Sequence, residues 1–249
     1  RSTRKESSAA SDVYKRQKLI VPFLIPFLLF MSLGPRLKWI KSKIENKNSL
    51  IITFIISVML TFFIIKNLTT DLLFYTVLIS TAFFLFFTTL KELFNKRFNN
   101  VSQTVSHFGF SLLILSILFN SILSSEIITN IKIGERYDYN KGEIFFKKTE
   151  EKKESNFNSI IAFFEIKNKN GKTIELNPEI RIYNQPEIIT SEADIKTTLL
   201  EDKFLVMNLV KGNEYFNIRY QIKPFMVWIW ISVLLLSFGG LMSLFKRKI

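Results

Sequence analysis

Five stretches of this chain, 19–33, 49–65, 72–90, 101–123 and 225–245, contain no charged residue at all. A helix needs about 20 apolar residues to cross a hydrocarbon core about 30 Å thick. The last four runs approach or reach that length. The run 19–33 would make roughly 22 Å of helix at about 1.5 Å per residue. It is interrupted by Pro22 and Pro26 and closed by Gly34-Pro35. Proline is tolerated in such a helix where neighbours satisfy the freed carbonyls. Five such helices buried in a water-soluble protein would need far more polar covering than 249 residues supply. The chain is therefore expected to be a multispanning α-helical membrane protein with five transmembrane helices.

The net charge of +13 would suggest nucleic acid as a partner if it lay on one face. It does not. Segment 125–222 carries 16 acidic and 15 basic residues, and the excess sits in the first 18 residues and beside the apolar runs. That distribution reports membrane topology and argues against nucleic-acid binding. Arg36, Lys38, Lys41, Lys43 and Lys47 stand against Glu45 alone after the first run, Lys91, Lys96 and Arg97 follow the third, and Lys246-Arg247-Lys248 follow the fifth. Lys66 and Asp71 flank the connection after the second. Every second connection is basic, which makes those connections and the C-terminus cytoplasmic. Segment 125–222 is then expected outside, as a periplasmic domain of a bacterial inner (cytoplasmic) membrane protein. Residues 1–17 are polar, lack the apolar stretch of a signal peptide, and put basic residues on the wrong side. They are expected to be a non-native or disordered leader. The expected organisation is thus leader 1–17, four transmembrane helices within 18–124, domain 125–222, and a last helix with a basic tail over 223–249.

The domain before the last helix reads as β-rich. Phe216, Ile218, Tyr220 and Ile222 alternate with polar residues, the period of a half-buried strand. A strand is expected over 204–210, with a turn at Lys211-Gly212-Asn213-Glu214. Strands over 160–167 and 172–176 flank Asn168-Lys169-Asn170-Gly171, a tight-hairpin sequence. A short strand is expected over 143–148, and a charged, flexible connection over 147–156. Ser191-Glu192-Ala193-Asp194 has the pattern of a helix start and predicts one short helix after Thr190.

Chemistry has few places to reside. The absence of cysteine excludes disulfides and thiolate metal sites. The single histidine, His107, lies about six residues into the fourth run, where an ionisable group should face protein, cofactor or water rather than lipid. Thr104, His107 and Ser111 share a face by their spacing, and Gly109 on another side suits close approach of a second helix. Two readings stand for His107. It is an axial haem ligand, or a quinone or proton site, with its other ring nitrogen oriented by a hydroxyl or carbonyl. Otherwise it makes a structural interhelical hydrogen bond. In Leu176-Asn177-Pro178-Glu179-Ile180-Arg181-Ile182-Tyr183, Glu179 and Arg181 fall on one side of an extended chain and can pair, either as a partner-binding surface or as a solvated face. Trp228 and Trp230 suit an interfacial belt or an aromatic shelf against haem, and Gly239-Gly240 suits tight helix contact.

Taken in order, these segments resemble the C-terminal part of the CcmF family, the membrane haem lyase component of cytochrome c maturation system I. The resemblance runs from residue 18 to Ile249. It rests on the proline-containing run from Val21 to Pro35, on Ser106-His107-Phe108-Gly109, on Leu176 to Tyr183, on Ser191-Glu192-Ala193-Asp194-Ile195, and on Pro224 to Trp230 with Gly239-Gly240. Ile180 stands where the family has lysine, and Glu201-Asp202-Lys203-Phe204 follows the family pattern only loosely. The resemblance implies that haem from a haem chaperone is joined to apocytochrome c with other maturation subunits. It also implies a transmembrane haem b that supplies reducing electrons, with His107 as one axial ligand to its iron and Thr104 and Ser111 beside it. The second ligand, a tryptophan-rich haem-handling segment and the family's periplasmic histidines fall outside this chain. This portion alone is not expected to be catalytically competent. From a different class, a membrane scaffold or transporter subunit with a partner-binding β domain and a structural His107 remains the alternative.

Overall fold

The computed structural model describes residues 22–34, 47–66, 72–94, 101–169, 171–210 and 214–246. The leader 1–17, residues 18–21, most of the basic connection 36–47, Asp71, Lys96, Arg97, the turn residues Lys211, Gly212 and Asn213, and the tail beyond Lys246 lie outside them. The chain divides into a helical unit, up to Leu118 and from Trp228 on, and a β unit, Phe119–Val227.

The helices are α1 (Pro22–Leu33), α2 (Lys47–Ile65), α3 (Leu72–Phe94), α4 (Val101–Leu123) and α5 (Met226–Lys246). Among the described residues, four are long and apolar enough to cross a membrane, and α1 is a shorter apolar helix. Many of their large side chains point outward: Phe63 is 78% exposed and Leu234 69%. Beside buried Leu28, Ile79, Phe84 and Leu85, they bury a set of small hydroxylated residues. Thr53, Ser57 and Thr61 are buried along one side of α2, each donating to the carbonyl four residues back at 2.7–2.8 Å. In α3, Thr81 and Thr88 donate to the carbonyls three residues back and Thr89 to the one four back, at 2.8–2.9 Å. Such back-bonding satisfies a hydroxyl with no water nearby. Lys91, at the end of α3, reaches Thr53 Oγ1 at 2.5 Å and Ser49 Oγ at 3.3 Å on α2.

The β unit is a sandwich of β1 (Ser125–Ile131), β2 (Arg136–Tyr139), β3 (Gly142–Lys153), β4 (Phe157–Asn168), β5 (Thr173–Leu176), β6 (Glu179–Asn184), β7 (Glu187–Glu192), β8 (Asp194–Thr197), β9 (Glu201–Leu209) and β10 (Phe216–Pro224). One sheet has the order β1-β10-β9-β8, the other β2-β3-β4-β6-β7 with β5 also paired to β4. The pairs are antiparallel throughout. The inward residues of both sheets make one core: Ile131, Leu205, Met207, Ile218 and Tyr220 from the first, and Ile144, Phe146, Phe164, Ile166 and Ile180 from the second. Phe146 and Phe164 stack at 4.3 Å between ring centres. Burial alternates along β9 and β10 as the period-two sequence requires.

Two expectations are corrected. No helix follows Thr190. Thr190 and Ser191 pair with Arg181 and Ile180 in β6, and Asp194 to Thr197 pair with β9. Free strand edges outcompeted a local capping pattern that had no apolar helical face behind it. The connection expected over 147–156 is strand up to Lys153, paired with Asn158. A register shift between Phe146 and Lys148 marks a bulge there. Beyond it the side chains are charged on both faces, which hid the strand. The hairpin expected at Gly171 is present: Lys167 pairs with Thr173, and Gly171 has φ +76°.

Candidate functional site

Helix α4 touches α1, α3 and α5, while α2 is fastened to α3. Ser111 Oγ lies 3.2 Å from Thr89 Oγ1 of α3 and donates to Phe108 O at 2.8 Å. Phe108 packs on Phe86 of α3 at 5.5 Å, and Phe110 meets Phe27 of α1 edge-on at 5.9 Å. On the side of α5 the backbones nearly touch. A Cβ on Gly109 would stand 2.9 Å from Leu236 N, and one on Gly239 would overlap Ser106 Oγ and stand 2.7 Å from Ser106 N. Gly109 and Gly239 are therefore glycine because no side chain fits between the helices. Gly240 has nothing within 4 Å of its Cβ position, so the expected Gly-Gly contact is made by Gly239 alone.

This packing gives the sequence Ser106-His107-Phe108-Gly109 a physical meaning. At about 100° per residue, Ser102, Ser106 and Gly109 lie at least about 100° round the helix from His107. The small residues meet α5 and leave the imidazole free of that crossing. Thr104 and Ser111, both buried, lie within about 60° of His107. The face shared by Thr104, His107 and Ser111 is thus the one turned towards α3. The Nδ1 atom of His107 is enclosed, with no hydrogen-bond partner among the described residues. The hydroxyl or carbonyl expected to orient the ring is not found at that nitrogen, because Ser111 is spent on Phe108 O and Thr89. A buried nitrogen without a partner is costly, and an imidazole in that state is available to a metal or a proton. Among the described residues no group of three His, Cys, Asp or Glu could hold a metal ion.

In the β unit, Glu179 and Arg181 do pair, at 3.0 Å. The guanidinium also lies over the Phe157 ring at 5.1 Å. Its hydrogen bond holds the Glu179 carboxyl below the usual carboxylate range. A second polar site was not anticipated. Lys203 sits on the core face of β9, in line with Leu205 and Met207, and is only 6% exposed. Its ammonium is 3.2 Å from Glu201 Oε1. Beside it a cavity of about 280 Å³ is lined by Asn140, Lys141, Asn168, Lys169, Glu201, Lys203 and Ile222. The alternation Lys203-x-Leu205-x-Met207 was the signal, since it puts the lysine inside. Burial raises the Tyr139 and Tyr220 hydroxyls above the ordinary tyrosine range.

Comparison with known proteins matches this architecture. Residues 122–224 match the family described as the CcmF C-terminal beta-sandwich. The chain is 27% identical over 176 residues to the cytochrome c-type biogenesis protein NrfE of Haemophilus influenzae, covering 69% of this chain and 28% of that protein. It is 25% identical over 234 residues to the cytochrome c-type biogenesis protein CcmF of Escherichia coli, covering 90% and 36%. A solved cytochrome c haem lyase CcmF shares the fold over 90% of this chain and 39% of that one, with a TM-score of 0.69 at 18% identity. The chain therefore spans about a third of the length of these relatives.

Proposed function

We propose, from the premise that this chain is a CcmF-like C-terminal portion with membrane helices and a β-sandwich before the last of them, that it serves cytochrome c maturation as part of a haem lyase subunit. Its four helices before the sandwich and the one after it lie in a bacterial inner membrane. The basic connections place the sandwich in the periplasm and the C-terminus in the cytoplasm. There the sandwich docks apocytochrome c, the haem chaperone or other maturation subunits.

The observation that carries this reading is the enclosed Nδ1 of His107, without a hydrogen-bond partner among the described residues, on the face of α4 turned away from α5. That state fits an axial ligand to a transmembrane haem b. Thr104 and Ser111 flank the imidazole and keep its surroundings packed and dry. When bound, the haem would supply reducing electrons for attachment of haem to the apocytochrome. Covalent attachment itself requires segments beyond this chain.

The test is His107→Ala in the complete gene, with Gly240→Ala, at an open position of α5, as the control. Loss of haem absorbance from the purified membrane protein and loss of mature cytochrome c in cells is the expected result, with the control retaining both. Unchanged haem content in His107→Ala would overturn the ligand assignment and favour a membrane scaffold in which His107 is structural.

A further inference from the structure

The turn between β8 and β9 is built to hold two leucines outward. Thr198 N–H donates to Glu201 O at 3.0 Å, its hydroxyl donates to the same carbonyl at 2.7 Å, and Glu201 N–H returns to Thr198 Oγ1 at 3.1 Å. Those bonds close the loop through the Thr198 hydroxyl and the backbone. Leu199 and Leu200 are left 69% and 67% exposed. A turn in water favours Gly, Asn, Asp and Ser for definite physical reasons, and paired leucines at its tip answer none of them.

The place of this turn explains them. Leu200 O accepts the Phe225 N–H at 2.8 Å. Phe225 directly precedes Met226, where α5 begins. The tip is thus pinned to the residue at which the chain passes from sheet to membrane helix. Trp228 and Trp230 follow within two turns of that helix, at the depth where aromatic belts sit.

The same end of the sandwich holds the cavity. Glu201, which follows Leu200, lines it, and Ile222, four residues before Met226, lines it too. Three lysines, Lys141, Lys169 and Lys203, and two asparagines, Asn140 and Asn168, line it against the single acidic residue Glu201. Lys169 N–H donates to Lys141 O at 3.0 Å, which ties the two exposed lysines together. The excess is cationic and suits one compact anion. We propose that the Leu199–Leu200 tip and this lysine-lined cavity form a phospholipid-binding edge, with the leucines in the acyl layer and the lysines on the headgroup phosphate. The membrane continuity of α5 names the occupant: the anion nearest this cavity in a bilayer is a lipid phosphate.

Because the chain has no cysteine, single Leu199→Cys and Ile133→Cys variants of the full chain can be spin-labelled in phosphatidylglycerol nanodiscs. Ile133 is 49% exposed and follows β1 at its opposite end from Ser125. The label at 199 is expected to collide with oxygen in preference to a water-soluble nickel chelate, and the label at 133 to show the reverse. A label at 199 as open to nickel as that at 133 would overturn the proposal. So would a label shielded from both, which would mean that protein covers the leucines. Headgroup binding is read by native mass spectrometry of retained phosphatidylglycerol. Each lysine beside an anionic lipid is worth about fivefold, so the exposed pair Lys141→Gln/Lys169→Gln should retain about twenty-five-fold less. Retention unchanged in that variant, or lipid displaced by excess inorganic phosphate, would overturn the headgroup assignment.

Discussion

The two units of this chain are built for opposite solvents. In the sandwich, Phe146, Phe164 and Tyr220 are at most 1% exposed, and ion pairs such as Arg136–Glu143 and Lys147–Glu165 lie outside. In the helical unit, Phe23 and Phe63 are exposed at 75% and 78%, and Ser57, Thr61 and Ser111 are not exposed at all. The difference follows from what water does in each place. Water drives apolar surface inward in the sandwich. Between helices in lipid that drive is missing, and close backbone approach and satisfied hydroxyls take over. A large residue in the sandwich core and a glycine at a helix crossing are therefore equivalent in importance, although one is defined by bulk and the other by its absence.

Substitutions can break or sharpen that contrast. The largest effect should come from Phe164→Ala, which removes a ring stacked on Phe146. A cost of about 3–5 kcal/mol is expected in urea unfolding of the sandwich followed by its near-UV signal. The mirror change, Phe63→Ala on the lipid-exposed side of α2, should cost below about 1 kcal/mol in the same membrane preparation. A loss at Phe63 as large as at Phe164 would mean that this outward face of α2 is covered by protein and not by lipid. Next in size, Gly109→Leu should weaken the α4–α5 crossing by about 1–3 kcal/mol, read as faster steric trapping in nanodiscs. Gly240→Leu, where the Cβ position is open, should change little. Equal effects at the two glycines would refute the close-approach account.

The smallest effect concerns pH and belongs to the sandwich alone. Hydrogen bonds from Arg219 and Arg181 lower the Glu126 and Glu179 carboxyls. A carboxyl whose folded pKa is depressed stabilises the fold above its unfolded value of about 4.3 and loses that contribution as pH falls through the folded value. The sandwich should therefore lose stability below about pH 4.3, by under about 1 kcal/mol for each such solvent-reached pair. Arg181→Met should remove the share due to Glu179. An identical acid profile in that variant would show that the pair contributes nothing.

How much of this was legible in the sequence depends on the residues. The uncharged runs announced α2 to α5, because no soluble arrangement accommodates them. Ile218-x-Tyr220-x-Ile222 announced β10 by its period. The second half of β3, Lys147 to Lys153, was not legible, since a strand end that is solvated on both faces carries no apolar alternation. Strands β7 and β8 were misread because a capping pattern is local, whereas pairing with β6 and β9 is not. At the candidate site, the shared face of Thr104, His107 and Ser111 followed from spacing alone. That Ser111 bonds to Thr89, 22 residues earlier, did not. Lys203 was missed because the strand was expected to begin at residue 204, whereas β9 begins at Glu201 and takes the lysine in.

One detail of register reaches beyond this chain. The sandwich opens at Ser125 and closes near Ile222, and these two residues are direct cross-strand partners. Ninety-odd residues thus leave and re-enter through a single doorway, held shut by the pairing of β1 with β10. An insertion with such a doorway can be enlarged, trimmed or exchanged in evolution while the helices on either side of it keep their ends a strand's width apart.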